Sequence, residues 1–159
     1  MLKRILFMII VLTIVFTVLA CDIIKNADLT DKDIESMIDE LKNSEVFSED
    51  IEKIGDNSVA VIYSIAESAE TSICYSGISG LKAEEISVFK AKTEEDAVSF
   101  CAYLEAYRDS RLKQFENYAP AEAPKLRDAI IKRSGLYVIY AVTDNSVKAS
   151  QIIDSYPKK

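Results

Sequence analysis

The chain has no histidine and no tryptophan, and only three cysteines, four glycines and three prolines in 159 residues. Without histidine it lacks the usual general base at neutral pH and the commonest metal ligand. So few glycines and prolines exclude a collagen-like or low-complexity chain and leave little material for glycine-rich phosphate loops. Basic charge is also short. Residues 1–20 hold Lys3, Arg4 and no acid, so the remaining 139 residues carry 17 basic against 26 acidic side chains, a formal charge of −9. That balance argues against nucleic acid, whose phosphates reward basic surfaces. It argues equally against a protein that holds anionic lipid by charge.

Against these shortages stands one long apolar run. Behind Lys3 and Arg4, Ile5–Ala20 is interrupted only by Thr13 and Thr17. A basic start and a short apolar stretch have the layout of an export signal, and the run is shorter than the ~20 residues a spanning helix needs. It ends in Val18-Leu19-Ala20-Cys21, which resembles the lipobox of bacterial lipoproteins. That resemblance implies diacylglyceryl transfer to the Cys21 thiol and cleavage between Ala20 and Cys21. Acyl chains, at ~0.8 kcal/mol per buried methylene, then replace the lost helix as anchor. The expected organisation is a signal peptide over residues 1–20, a tether over 21–30, and one domain over 31–159, large enough for a single core. The expected location is the outer face of the cytoplasmic membrane.

With Cys21 assigned to lipid, Cys74 and Cys101 remain. Outside the membrane a bridge between them is permitted, but cysteines in a core of ordinary size are more often buried hydrophobes, and their pairing is left open.

Periodicity sets out the rest. Thr30 is a candidate helix cap with Asp33 three residues on, and Ile34, Met37, Ile38 and Leu41 follow at helical spacing, which predicts a helix over Asp31–Asn43. Ser48 is read as the cap of a short turn that places Ile51 and Ile54 inward. Val59, Val61, Ile62 and Tyr63 favour a strand over Asn57–Ile65. Thr71–Ser76 and Glu85–Lys92 read as strands separated by Gly77-Ile78-Ser79-Gly80. Thr93 caps a helix with Glu94, Glu95 and Asp96 in its first turn. That helix runs to about Tyr118 on the stripe Ala97, Cys101, Leu104, Arg108, Leu112 and Phe115, and Pro120 and Pro124 end it. Leu126–Arg133 and Leu136–Thr143 read as a hairpin through Ser134-Gly135. A helix over Asp144–Tyr156 closes the chain with Val147, Ile152 and Ile153 inward. The expected fold is α+β: an antiparallel sheet of about four strands, built from two β-hairpin-plus-helix units with an additional N-terminal helix, its helices packed on a face. A shift of 50 residues aligns Ile86, Val88, Ala91, Thr93 and Glu94 with Leu136, Val138, Ala141, Thr143 and Asp144, the trace a duplication would leave.

Three stretches, Ala83–Lys90, Phe115–Pro120 and Asp128–Val138, together resemble the domain of unknown function 4358 family, over about Asp31 to Tyr156. The resemblance implies export and anchoring, no assigned activity, and a short helix where propensity reads a strand at Asn57–Ile65.

No catalytic constellation emerges, and the chain is expected to be no enzyme and to need no cofactor or metal. Ser87-Val88-Phe89-Lys90 matches a Ser-x-x-Lys string but sits in a predicted strand without partner motifs. Gly77–Lys82 lacks the spacing of a phosphate loop. The clusters Asp31/Asp33/Glu35, Glu49/Asp50/Glu52 and Glu94/Glu95/Asp96 lack the alternating ligands and central glycine of a calcium loop. Arg108, Arg111, Lys113, Lys125, Arg127, Lys132 and Arg133 are the basic concentrations that an anionic wall polymer or headgroup would meet, or solvated faces. Tyr75, Tyr137 and Tyr140 are candidates for a glycan- or peptide-binding surface, or for packing. The expected function is a lipid-anchored, non-catalytic binding or interaction module of the cell envelope. Its partners are the membrane, through the lipid, and an envelope protein or wall polymer. The alternatives are a carboxylate-dependent envelope hydrolase and a small solute-binding lipoprotein.

Overall fold

The computed structural model describes Asp22–Ile23 and residues 28–158. The signal segment, Ala20 and Cys21 lie outside the described residues. Five strands form an antiparallel sheet: β2 (Ile51–Lys53), β3 (Thr71–Gly77), β4 (Glu85–Lys90), β5 (Ile130–Ser134) and β6 (Tyr137–Val142), in the order β5-β6-β4-β3-β2. A two-residue strand, β1 (Asp22–Ile23), adds in parallel to the β5 edge, with Asp22 opposite Lys132 and Ile23 opposite Arg133. Part of the expected tether is thus laid along the sheet.

The two hairpin-plus-helix units are β3–β4 followed by α3 (Glu94–Tyr118), and β5–β6 followed by α5 (Ser146–Asp154). They join through the central β4–β6 pair, Glu85 opposite Val142 and Lys90 opposite Tyr137. The additional N-terminal helix is α1 (Asp31–Asn43), held at its start by the Thr30/Asp33 capping box. Thr93 caps α3 by accepting from the Asp96 amide.

Helices cover both faces of the sheet rather than one. On the first face α3 packs with Val59 of α2 (Asp56–Ile62) and Leu126 of α4 (Ala123–Arg127) over Phe89, Val138, Tyr140 and Val142. On the second, α1 and α5 pack over Ile86, Val88, Ile139 and Ala141. This is why all of β6 is buried and why its sequence, Tyr-Val-Ile-Tyr-Ala-Val, does not alternate with polar residues. The duplication fails on the same geometry. A two-fold relation through β4–β6 would place α3 and α5 on one face, and they lie on opposite faces. Their caps, Thr93 and Asn145, and the starts of β4 and β6 correspond at a spacing of 52, not 50.

Four local expectations are corrected. Asn57–Ile65 is not a strand: α2 covers it as far as Ile62 and a 3-10 turn begins at Ser64, because Val59 and Tyr63, four apart, are both buried while Val61 is 87% exposed. Residues Ile51–Lys53 form an edge strand on β3 instead of a turn. Pro124 sits in the first turn of α4, so it starts a helix as well as ending one, and β5 begins only at Ile130. The closing helix begins at Ser146, one residue after its Asn145 cap, and Val147 faces outward, 68% exposed. The β5–β6 turn is made by Gly135-Leu136, with Gly135 at φ +55°, a conformation glycine takes without strain.

Candidate functional site

The polar chemistry of the first sheet face gathers where β4 begins. Cys74, Ser87 and Tyr140 stand side by side across β3, β4 and β6. One step along β4 on that face is Glu85, almost wholly buried. Tyr63, just past α2, donates its hydroxyl to Glu85 Oε2 at 2.9 Å and accepts from Ser87 Oγ at 2.9 Å. Arg111 of α3 donates to Glu85 Oε1 and lies over the rings of Tyr107 and Phe115, 5.7 and 5.2 Å from their centroids. Tyr107 in turn packs on Tyr63 and Tyr140, at 4.9 and 5.8 Å.

Burial decides the protonation of this cluster. It pushes the Glu85 carboxyl up, against the pull of Arg111 and the Tyr63 hydrogen bond, and the net direction is upward. Burial also opposes the charge of Arg111, but Glu85 outweighs it and holds the guanidinium protonated. The hydroxyls of Tyr63, Tyr107 and Tyr140 are all pushed up by burial, with Glu85 adding to it. The Cys74 thiol is raised by burial to about 12. The Tyr63, Tyr107 and Tyr140 hydroxyls and the Cys74 thiol therefore stay protonated at neutral pH. Tyr140 Oη and Thr143 Oγ1 are the buried side-chain oxygens without a hydrogen bond among the described residues.

The neighbouring Glu84 belongs to a second network. It accepts from the Ser48 amide and hydroxyl at 2.9 and 2.7 Å, and from Lys125 Nζ at 2.6 Å. Lys125 also reaches Glu122 at 3.2 Å and Asp144 at 3.1 Å. Glu122 accepts from the Ala83 amide at 3.1 Å and pairs with Lys82 at 3.2 Å.

At the opposite end of the sheet a cleft of about 370 Å³ is lined by residues 28–31, Lys90, Glu94 and 135–137. There Tyr137 donates its hydroxyl to Asp31, and Lys90 lies 3.0 Å from Glu70 and 3.7 Å from Asp31.

The residues singled out in the sequence are dispersed. Ser87 and Lys90 fall on opposite faces, so no Ser–Lys pair exists. Tyr140 is fully buried and cannot contact a partner; Tyr75 meets Lys42, 4.6 Å from its ring. The basic residues do not form a patch: Arg108 pairs with Asp109, Arg111 with Glu85, Arg127 with Glu116 and Lys132 with Asp154. Cys74 is a free, buried thiol, so it forms no bridge to Cys101. Among the described residues no three His, Cys, Asp or Glu side chains gather as a metal ion would require. What sequence reasoning missed is the Glu85–Arg111–Tyr63 group. Its one local sign was that Glu85 and Ser87 share a strand face with Phe89; Arg108, not Arg111, was placed on the buried stripe of α3.

The match to Domain of unknown function (DUF4358) runs over residues 43–143, from the last residue of α1 to just past β6. The chain belongs to this family. The DUF4358 match takes in all five antiparallel strands, α3 and both polar networks except Asp144, and stops short of most of α1 and of α5, which cover the second face. No curated protein and no solved structure matches the chain.

Proposed function

We propose that this DUF4358 protein is anchored by lipid on Cys21 to the outer face of the cytoplasmic membrane and acts as a non-catalytic binding or interaction module of the envelope. The observation that carries the reading is Ile5–Ala20 behind Lys3–Arg4 and ending at Cys21. The two polar networks favour a structural over a chemical use of the buried carboxylates. Glu85 is tied to Arg111, Glu84 to Lys125, and Glu122 to Lys82 and Lys125. A second reading, binding of a small solute, is favoured by the cleft at Lys90, Asp31 and Tyr137, whose 370 Å³ suits a small ligand.

The test is metabolic labelling with palmitate beside Cys21→Ser. The parent chain is expected to take up label and lose its first 20 residues, and the variant to stay unlabelled at precursor length. A variant that matures and labels like the parent would remove the anchor. Membrane-side crosslinking identifies the partner, and a thermal-shift screen against sugars, amino acids and metals addresses the cleft, since ligand bound to the native state alone raises Tm.

A further inference from the structure

The charges that line the cleft at Lys90 do not balance. Asp28, Asp31 and Glu94 share its lining with that one lysine. Glu70, outside the lining, takes the lysine ammonium at 3.0 Å, and Asp31 Oδ1 lies 3.7 Å from it. Among the described residues the Asp28 and Glu94 carboxylates make no ion pair and no hydrogen bond. A place in the first turn of a helix accounts for Asp31 of α1 and Glu94 of α3. It accounts for neither Asp28 nor Glu70, which belong to no helix. Four acids thus reach this cleft from four separate segments of the chain.

The protein's own ammonium shows how the cleft holds a cation. Lys90 Nζ lies between two carboxylates and 5.6 Å over the ring of Tyr137, the combination of charge and aromatic face that suits ammonium ligands. Tyr137 is itself fixed, donating its hydroxyl to Asp31. Asp28 and Glu94 extend the acidic wall without a cation of the chain to meet them. A metal ion is a poor match, because among the described residues no three acidic side chains gather closely enough to ligate one. Carboxylates spread along a cleft of about 370 Å³, with Leu29 and Leu136 in the same wall, suit a cation that carries an aliphatic stem.

We propose that this cleft binds an organic cation, an aliphatic primary amine of the diamine or lysine-side-chain type. Asp28, Asp31 and Glu94 meet its ammonium, and Leu29, Leu136 and the Tyr137 ring take its stem. The inference rests on the small-solute reading of the cleft and adds the class of solute. It does not depend on the lipid anchor. The acidic balance of the domain adds a long-range attraction of the same sign.

The test is calorimetric titration of the full-length chain, expressed with its signal and purified in a non-ionic detergent. The probes are cadaverine and Nα-acetyl-lysine amide, with pentanoate, glucose and calcium chloride beside them. The expected result is saturable one-to-one binding of an amine, weakened about tenfold by Asp28→Asn/Glu94→Gln and changed less than about twofold by Glu35→Gln/Glu95→Gln. The second pair removes equal charge from α1 and α3 outside the cleft. The four replaced side chains are exposed and make no hydrogen bond or ion pair among the described residues, so both variants should keep the parent's Tm. Binding of cadaverine alone supports the proposal with a free polyamine as source. Equal binding of the lysine amide supports it with an amine-bearing side chain of a peptide or wall polymer as source. Equal weakening by both pairs overturns it in favour of a diffuse counterion effect, and calcium bound with the same selective loss overturns it in favour of a metal ion. Pentanoate or glucose bound in place of the amines overturns the ligand class and leaves the small-solute reading standing. No heat from any of the five, in a chain whose Tm is also flat across the sugar and amino-acid screen, overturns both.

Discussion

Arg111→Met tests whether the Glu85–Arg111 pair holds α3 to the sheet. Glu85 is almost wholly buried, and the Arg111 side chain is 17% exposed. Removing one partner of a buried pair costs about 3–5 kcal/mol, because the remaining charge is stranded. Native domains have about 5–15 kcal/mol in total, so the variant should fold with a large drop in urea midpoint. Glu85 has an escape, since it can take up a proton, and this makes the loss depend on pH. Burial already raises its pKa in the parent, with Arg111 the largest opposing influence. A carboxyl raised on folding gives its full contribution below its unfolded pKa and loses it as pH rises through the folded value. Without Arg111 the folded value rises further, so that loss extends to higher pH. The cost of Arg111→Met should therefore be smaller at about pH 5 than at about pH 8. Adding Glu85→Gln removes the stranded charge and keeps an acceptor for Tyr63, so the double variant should regain about 1–3 kcal/mol over Arg111→Met. Urea unfolding followed by circular dichroism at the two pH values reads all of this. A cost that is equal at both, with no recovery in the double variant, would refute the reasoning.

Three further outcomes follow from local geometry. Gly135→Ala should destabilise by about 1–2 kcal/mol, because the left-handed φ resists a side chain and an added Cβ would lie 2.6 Å from Asp28 Oδ1; an unchanged Tm would contradict this. Thr93→Ala removes the acceptor of the Asp96 amide and should cost about 1 kcal/mol, whereas the conservative Thr93→Ser should cost less than half of that in the same melts. Cys74, with its thiol raised to about 12 and buried beneath α3, should resist iodoacetamide in the native protein near neutral pH and react once urea unfolds it; peptide mapping that finds Cys74 alkylated in the native state would show that the first-face core opens.

The elements legible in the sequence were those whose signals are local. The Thr30/Asp33 box and the Thr93 cap with three acids behind it state where α1 and α3 begin, and the apolar spacing of α1 states which side it buries. The sequence was misread where a local signal and a distant partner compete. Val59, Val61 and Ile62 are strand-prone, but the cores beneath take only Val59 and, four residues on, Tyr63, and that spacing belongs to a helix. The three-residue strand Ile51–Lys53 has no alternation of its own and exists because Gly77, Ser76 and Tyr75 offer it an edge. Coverage of both faces was readable in one place, the unbroken apolar run of β6, which an antiparallel strand with a wet face would not carry. Glu85 and Arg111 stayed hidden because two charges 26 residues apart on a strand and a helix have no sequence signature; only the crossing of α3 over β4 brings them together.

The same crossing bears on how firmly the connection between β3 and β4 is held. A connection of seven residues between β3 and β4 would ordinarily be expected to move, and two exposed aliphatic side chains on a moving loop could fold back onto the core. Here the connection is tied on both sides. Ser79 donates to Glu49 at 3.1 Å; Lys82 and the Ala83 amide reach Glu122, and Glu84 is clamped between Ser48 and Lys125. Glu122 and Lys125 lie on the segment that follows α3, whose position Arg111 sets through Glu85. The adjacent acids Glu84 and Glu85 thus fasten the two sides of one junction, the first to α4 and the 44–50 loop, the second to α3. Holding Ile78 and Leu81 away from the core costs solvation of apolar surface in water. Glu49, Lys82, Glu84, Glu122 and Lys125 hold the tip there against that cost by fixing the connection at both of its ends.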